Sequence, residues 1–138
     1  QELVREVDEI TYINDTAATQ QDAVLAALNR FGADGDIILI AGGVDKEGEY
    51  DALVERALDT CKHLVLFEGS ASDLIAEKIA GRIPMDTGVK DMQDAVNKAR
   101  AAAATGDIVL LSPAAASFNL FANAYDRGEQ FREAVRNL

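Results

Sequence analysis

Apolar positions along the chain switch repeatedly between the spacing of a helix face and the unbroken run of a buried strand. Val24, Leu25, Leu28 and Phe31 recur three and four residues apart, which predicts a helix over 19–31. Ile37-Ile38-Leu39-Ile40-Ala41 has no polar interruption, as expected of a strand covered on both faces. The same alternation continues. Leu53, Val54, Ala57 and Leu58 mark a helix over 50–60, Leu64-Val65-Leu66-Phe67 a strand, and 72–80 a helix stopped by Gly81. Ile83 to Met85 reads as a short strand weakened by Pro84. Met92, Ala95, Val96 and Ala99 predict a fourth helix, and 108–111 a last strand. Helices are expected at 119–123 and 129–138. Ile10 to Asn14 reads as a strand, and Leu3 to Val7 as a further strand at an edge.

Repeated strand–helix alternation predicts an α/β fold: a three-layer, Rossmann-like domain with a mostly parallel sheet of about six strands, an antiparallel edge strand, and helices on both faces. No linker, repeat or low-complexity segment interrupts the 138 residues, so one domain spanning 1–138 is expected.

Charge narrows the partners. Thirteen basic against 24 acidic residues give a net charge of -11, which argues against nucleic acid or an anionic membrane, since both call for a basic surface. No apolar run is long enough to cross a bilayer, and residues 1–9 carry no signal pattern. Cys61 has no second cysteine to pair with, which fits a reducing, cytoplasmic setting.

In a parallel sheet three polar loops fall at one edge, where α/β proteins bind ligands. The first is Asn14-Asp15-Thr16-Ala17-Ala18-Thr19, with a carboxylate, an amide and two hydroxyls before a helix. Read locally it is an Asx-turn followed by a Thr19 N-cap. The second is Ala41-Gly42-Gly43-Val44-Asp45-Lys46, where paired glycines permit close backbone approach and Lys46 brings a mobile cation. The third is Ser112-Pro113-Ala114-Ala115-Ala116-Ser117, two hydroxyls on a small-residue turn, with a helix expected to start near Asn119. Its local alternative is a serine N-cap. Convergence of the three would suit a carboxylate.

The chain has no G-x-x-x-x-G-K-[ST] phosphate loop and no G-x-G-x-x-G fingerprint. His63 stands alone at a strand start and reads as structural; Cys61 beside it lacks metal-ligand spacing and reads as a partly buried helix-end residue. No nucleophile–base pair can be assembled, so no catalytic residue and no metal site is assigned.

The three loops, with Phe118, Phe121, Asn123, Asp126-Arg127-Gly128 and Phe131 after them, resemble the C-terminal domain of the Mur ligases, in their D-glutamate-adding branch. Order and spacing agree over nearly the whole chain. The resemblance implies an ATP-dependent ligase of peptidoglycan synthesis. It would activate UDP-N-acetylmuramoyl-L-alanine as an acyl phosphate and couple it to D-glutamate. It also implies that ATP and Mg2+ are held mainly by a central domain, and UDP by an N-terminal one, both outside these residues. Carried over position by position, Asn14 and Asp15 would lie near ATP. Thr19 and Lys46 would hold one glutamate carboxylate, and Ser117 with Phe118 the other. Ala17 stands where relatives often carry lysine, and Ala124 where many carry an aromatic residue, with Tyr125 next to it. No Asp-Asn-Pro-Arg sequence of the diaminopimelate branch is present. The alternatives are a Mur-type ligase for another amino acid, and a non-catalytic Rossmann-like binding or interaction domain.

Overall fold

The structure is a computed structural model that describes residues 1–32, 36–45, 48–117 and 119–138. Eleven elements follow one another: β1 (Glu2–Val7), β2 (Ile10–Asn14), α1 (Gln21–Phe31), β3 (Ile37–Ala41), α2 (Asp51–Thr60), β4 (Cys61–Phe67), α3 (Ser70–Ile79), β5 (Met85–Val89), α4 (Met92–Ala102), β6 (Ile108–Leu111) and α5 (Ala124–Arg136). They build one six-stranded sheet in the order β1-β2-β6-β3-β4-β5. All neighbours run parallel except β1, which pairs antiparallel with β2 at the edge. The α/β expectation holds, edge strand included.

Side-chain alternation along the central strands splits the apolar runs between two cores. Ile37, Leu39, Leu64, Leu66 and Leu110 face α1, α2 and α3, packing with Leu28, Leu53 and Ile75. Ile38, Ile40, Val65, Phe67, Val109 and Leu111 face α4 and α5, packing with Val96 and Phe131. All five residues of β3 are buried, which is why that strand tolerates no polar position.

Several boundaries differ from the sequence reading. β5 begins at Met85, after Pro84 rather than across it. Pro84 has no N–H to give the ladder, but its carbonyl accepts from Leu64 N at 3.0 Å and so feeds the chain into the sheet. Residues 119–123 form turns, not a helix. Leu120 N and Phe121 N both return to Ser117 O, closing a single turn that does not propagate. One helix, α5, then starts at Ala124, where the Asn123 side chain accepts from Asp126 N at 2.8 Å while Asp126 Oδ2 accepts from Ala122 N at 3.1 Å. Cys61 is buried at the start of β4 rather than partly exposed.

Candidate functional site

The sheet order sets β2, β6 and β3 side by side, so the loops leaving their carboxyl ends are neighbours. The first loop opens with the expected Asx-turn: Asn14 Oδ1 accepts from Thr16 N at 3.1 Å. It does not end as expected. The N-cap of α1 is Gln20 in extended conformation, with no side-chain cap. Thr19 N turns back to Ala17 O at 2.9 Å, so Thr19 sits in the loop rather than on the helix end. Among the described residues its hydroxyl makes no hydrogen bond.

Ser112 and Ser117 part company. Ser112 is fully buried, and its hydroxyl donates to Asp15 Oδ2 at 2.8 Å. It fixes the first loop to the third and is not open to a ligand. Ser117, 4% exposed, has no hydrogen bond from its hydroxyl among the described residues. No helix N-terminus follows it directly, because α5 begins at Ala124. The helix amides expected beside Ser117 are therefore replaced by the 119–123 turns.

The second loop is tied by its backbone to the third. Gly42 N donates to Pro113 O at 2.8 Å, and Val44 and Ala116 exchange both backbone bonds at 3.2 Å. Gly43 has φ +141°, and a Cβ there would run into the Ala116 carbonyl, so the doubled glycine is required by both conformation and contact. Ser72 Oγ accepts from Gly43 N at 3.3 Å and donates to Phe67 O, linking the loop to the end of β4. Asp45 Oδ1 accepts from Gly48 N at 3.0 Å and from the Tyr50 hydroxyl at 2.7 Å. Burial, then that carboxylate, hold the Tyr50 phenol well above its ordinary pKa, so it stays a donor. Lys46 and Phe118, both expected at the site, lie outside the described residues.

A hollow of about 400 Å³ opens among the loops, lined by Thr19, Gln20, Gln21, Gly48, Glu49, Tyr50 and Ala114. It brings Thr19 of the first loop and Ala114 of the third around one space with residues 48–50, which follow the second loop; Ser117 is not among its lining residues. A second hollow, about 590 Å³, opens beside the ends of β4 and β5 around Glu68, Ser70, Asp73 and Thr87. No group of three His, Cys, Asp or Glu residues suited to a metal occurs among the described residues. His63 Nε2 lies 2.9 Å from Asp86 Oδ2 between β4 and β5, which keeps it structural.

The residue that the sequence reading named, within Asp126-Arg127-Gly128, but gave no role is Arg127. It is fully buried on α5 and reaches both the first and third loops. Burial lowers its pKa to about 10, which leaves it cationic at neutral pH. Gly128 beside it lets the helix approach, since a Cβ there would meet Thr16 Cγ2 at 2.6 Å. A signal was available: Arg127 is spaced with Phe131, Ala134 and Val135 on the buried stripe of α5, where a solvated arginine has no place.

Comparison with known proteins gives the family and the fold. The family model for the Mur ligase, glutamate ligase domain, matches residues 1–115. A UDP-N-acetylmuramoylalanine–D-glutamate ligase of Roseiflexus sp. (strain RS-1) is 44% identical over 144 residues, covering 99% of this chain and 30% of that protein. The ligase of that name from Pseudomonas fluorescens (strain Pf0-1) is 44% identical over 137 residues, covering 98% and 30%. Among solved structures, a bifunctional folylpolyglutamate synthase/dihydrofolate synthase from Yersinia pestis CO92 shares the fold with a TM-score of 0.62 at 14% identity, over 99% of this chain and 30% of its own. A murein peptide ligase from Psychrobacter arcticus 273-4 does so at 0.58 and 17%, over 99% and 30%. The chain spans about 30% of the length of the curated relatives it matches. On the family match and the fold together, the chain belongs to the Mur ligase family, as its glutamate ligase domain.

Proposed function

We propose that this chain is the C-terminal, amino-acid-receiving domain of an ATP-dependent ligase that joins D-glutamate to UDP-N-acetylmuramoyl-L-alanine. The observation that carries this reading is the junction of three loops at one sheet edge. Their backbones are tied to one another, while the hydroxyls of Thr19 and Ser117 are left unengaged among the described residues. A dicarboxylate calls for such groups at two separated points, with a cation at one. Thr19 and Lys46 take one carboxylate of glutamate; Ser117 and the Phe118 backbone take the other.

In the reaction, the muramoyl-alanine carboxylate is first phosphorylated by ATP. The neutral amine of glutamate then attacks the acyl carbon. A C–N bond forms, the C–O bond to phosphate breaks, phosphate leaves, and the amine gives up its proton. ATP and Mg2+ act mainly outside this chain, with Asn14 and Asp15 on the nucleotide side. What these residues contribute is orientation: two carboxylates held apart leave the amine as the end free to react. The two curated relatives described above are both D-glutamate ligases by name, which favours glutamate over another amino acid.

Phosphate release by the full-length ligase, given ATP, Mg2+ and UDP-N-acetylmuramoyl-L-alanine, tests the reading. It is expected to depend on D-glutamate and to be weak with L-glutamate. Turnover supported by a different amino acid but not by D-glutamate would contradict it.

A further inference from the structure

Arg127 is a buried cation with no carboxylate within ion-pair distance among the described residues. It is fully buried, and all three of its hydrogen bonds go to neutral oxygens. Nε donates to Thr16 Oγ1 at 3.0 Å, Nη2 to Thr16 O at 2.8 Å, and Nη1 to Ala115 O at 3.0 Å. The Thr16 hydroxyl in turn donates to Ala124 O at 2.7 Å, so the first loop, the third loop and the start of α5 meet on one guanidinium. Burying an unpaired charge is costly, and an apolar side chain of similar volume would fill the space without that cost. What an apolar residue cannot do is fix the distance between two loops through directed bonds.

The two loops carry the two halves of the site. Thr16 stands three residues before Thr19, and Ala115 two residues before Ser117. Two other ties join these loops, Asp15 N to Leu111 O at 2.8 Å and Ala114 N to Ala18 O at 2.9 Å. Arg127 adds a hold on Thr16, between them on the first loop, and on Ala115, one residue past the last of them on the third. Asp15 is anchored separately, by Ser112.

We infer that Arg127 is a positioning residue for the incoming amino acid: by clamping Thr16 and the Ala115 carbonyl it sets the separation of the Thr19 and Ser117 hydroxyls. The inference rests on the glutamate reading of the site. It requires that loss of the clamp weaken capture of the amino acid while leaving the nucleotide side, held through Asp15 and Ser112, little changed.

Steady-state kinetics on the full-length ligase test it, with Arg127→Lys as the main variant. Lysine keeps the charge but cannot make the three directed bonds. The KM for D-glutamate is expected to rise about ten-fold, with kcat within about three-fold and the KM for ATP within about two-fold of the parent. Asn123→Ala serves as the structural control. It removes the side-chain cap of α5 and lowers thermal stability without removing any donor or acceptor of the three guanidinium bonds, and its KM for D-glutamate should match the parent. Should Arg127→Lys not fold, Thr16→Val, which removes the Nε acceptor, decides instead, with an expected rise of about three-fold in that KM. An unchanged KM in the deciding variant overturns the inference. So does a rise that Asn123→Ala reproduces, or equal rises for D-glutamate and ATP. Lys46→Ala, measured alongside, separates the two levels: if it changes nothing either, the glutamate reading has failed and the clamp falls with it.

Discussion

At the edge of the sheet two hydroxyls are left without a protein partner among the described residues, and one guanidinium has three. The asymmetry shows what a single residue's environment reveals and what its identity hides. Thr19 and Ser117 were legible as hydroxyls at strand ends, but Thr19 as an N-cap was not, because Gln20 takes the extended cap conformation with no side-chain bond. Ser112 and Ser117 look alike in sequence. Only the fold shows that the first is consumed by Asp15. The buried role of Arg127, though the residue was named, was hidden because charge ordinarily marks a solvated face. Cys61 gives a prediction at this scale. Burial pushes its thiol from 9.0 up to about 12, so between those values the folded chain keeps a proton that the unfolded chain gives up. Its contribution to stability is complete below the lower value and is lost as pH rises towards the upper. Urea midpoints should therefore hold steady up to about pH 9 and then fall, with Cys61→Val showing a shallower fall just above that pH, before the raised tyrosines Tyr12 and Tyr50 titrate. Identical slopes for the two proteins would refute the assignment.

At the scale of elements, periodicity located β1 to β4, β6 and the four helices α1 to α4, because each presents an apolar face to one of two cores; the strand expected at Ile83 to Met85 meets β5 only at Met85, since β5 is mostly not buried and leaves no apolar run. It failed where local bonding decides. Residues 119–123 carry apolar Leu120 and Phe121 at no clear period, and their amides are spent on Ser117 O rather than on a continuing helix. The true start of α5 lies in the Asn123 side chain accepting from Asp126 N and the Asp126 carboxylate accepting from Ala122 N, a signal available in the sequence but set at the end of one expected helix and in the gap before the next. Gly128 follows from the same helix. Alanine would gain about 1 kcal/mol of helix propensity there, but its Cβ would meet Thr16 at 2.6 Å, and overpacking of this kind costs about 1–3 kcal/mol. Gly128→Ala should thus lower the unfolding free energy by about 1 kcal/mol in denaturant titration. A stabilised variant would mean that α5 does not press on the first loop.

For the whole molecule, the order β1-β2-β6-β3-β4-β5 is what brings separate loops together. That the strands are parallel could be read from alternation, and with it the shared edge. That β6 inserts between β2 and β3 could not, because pairing partners are chosen by packing across the sheet rather than by any local pattern. The whole-chain account also predicts behaviour in isolation. With two cores and no phosphate loop, these 138 residues should unfold cooperatively on heating yet show no D-glutamate-dependent ATP hydrolysis. Robust turnover by the isolated chain would place catalytic groups where none has been found.

The claim that joins these scales is that the loop junction receives the incoming dicarboxylate, with Lys46 as its cation. The most direct test is kcat/KM for D-glutamate in the full-length ligase with Lys46→Ala. Loss of a charge-assisted contact worth about 1.5–3 kcal/mol predicts a fall of roughly ten-fold or more, with folding little changed. A value equal to that of the parent enzyme would contradict the account.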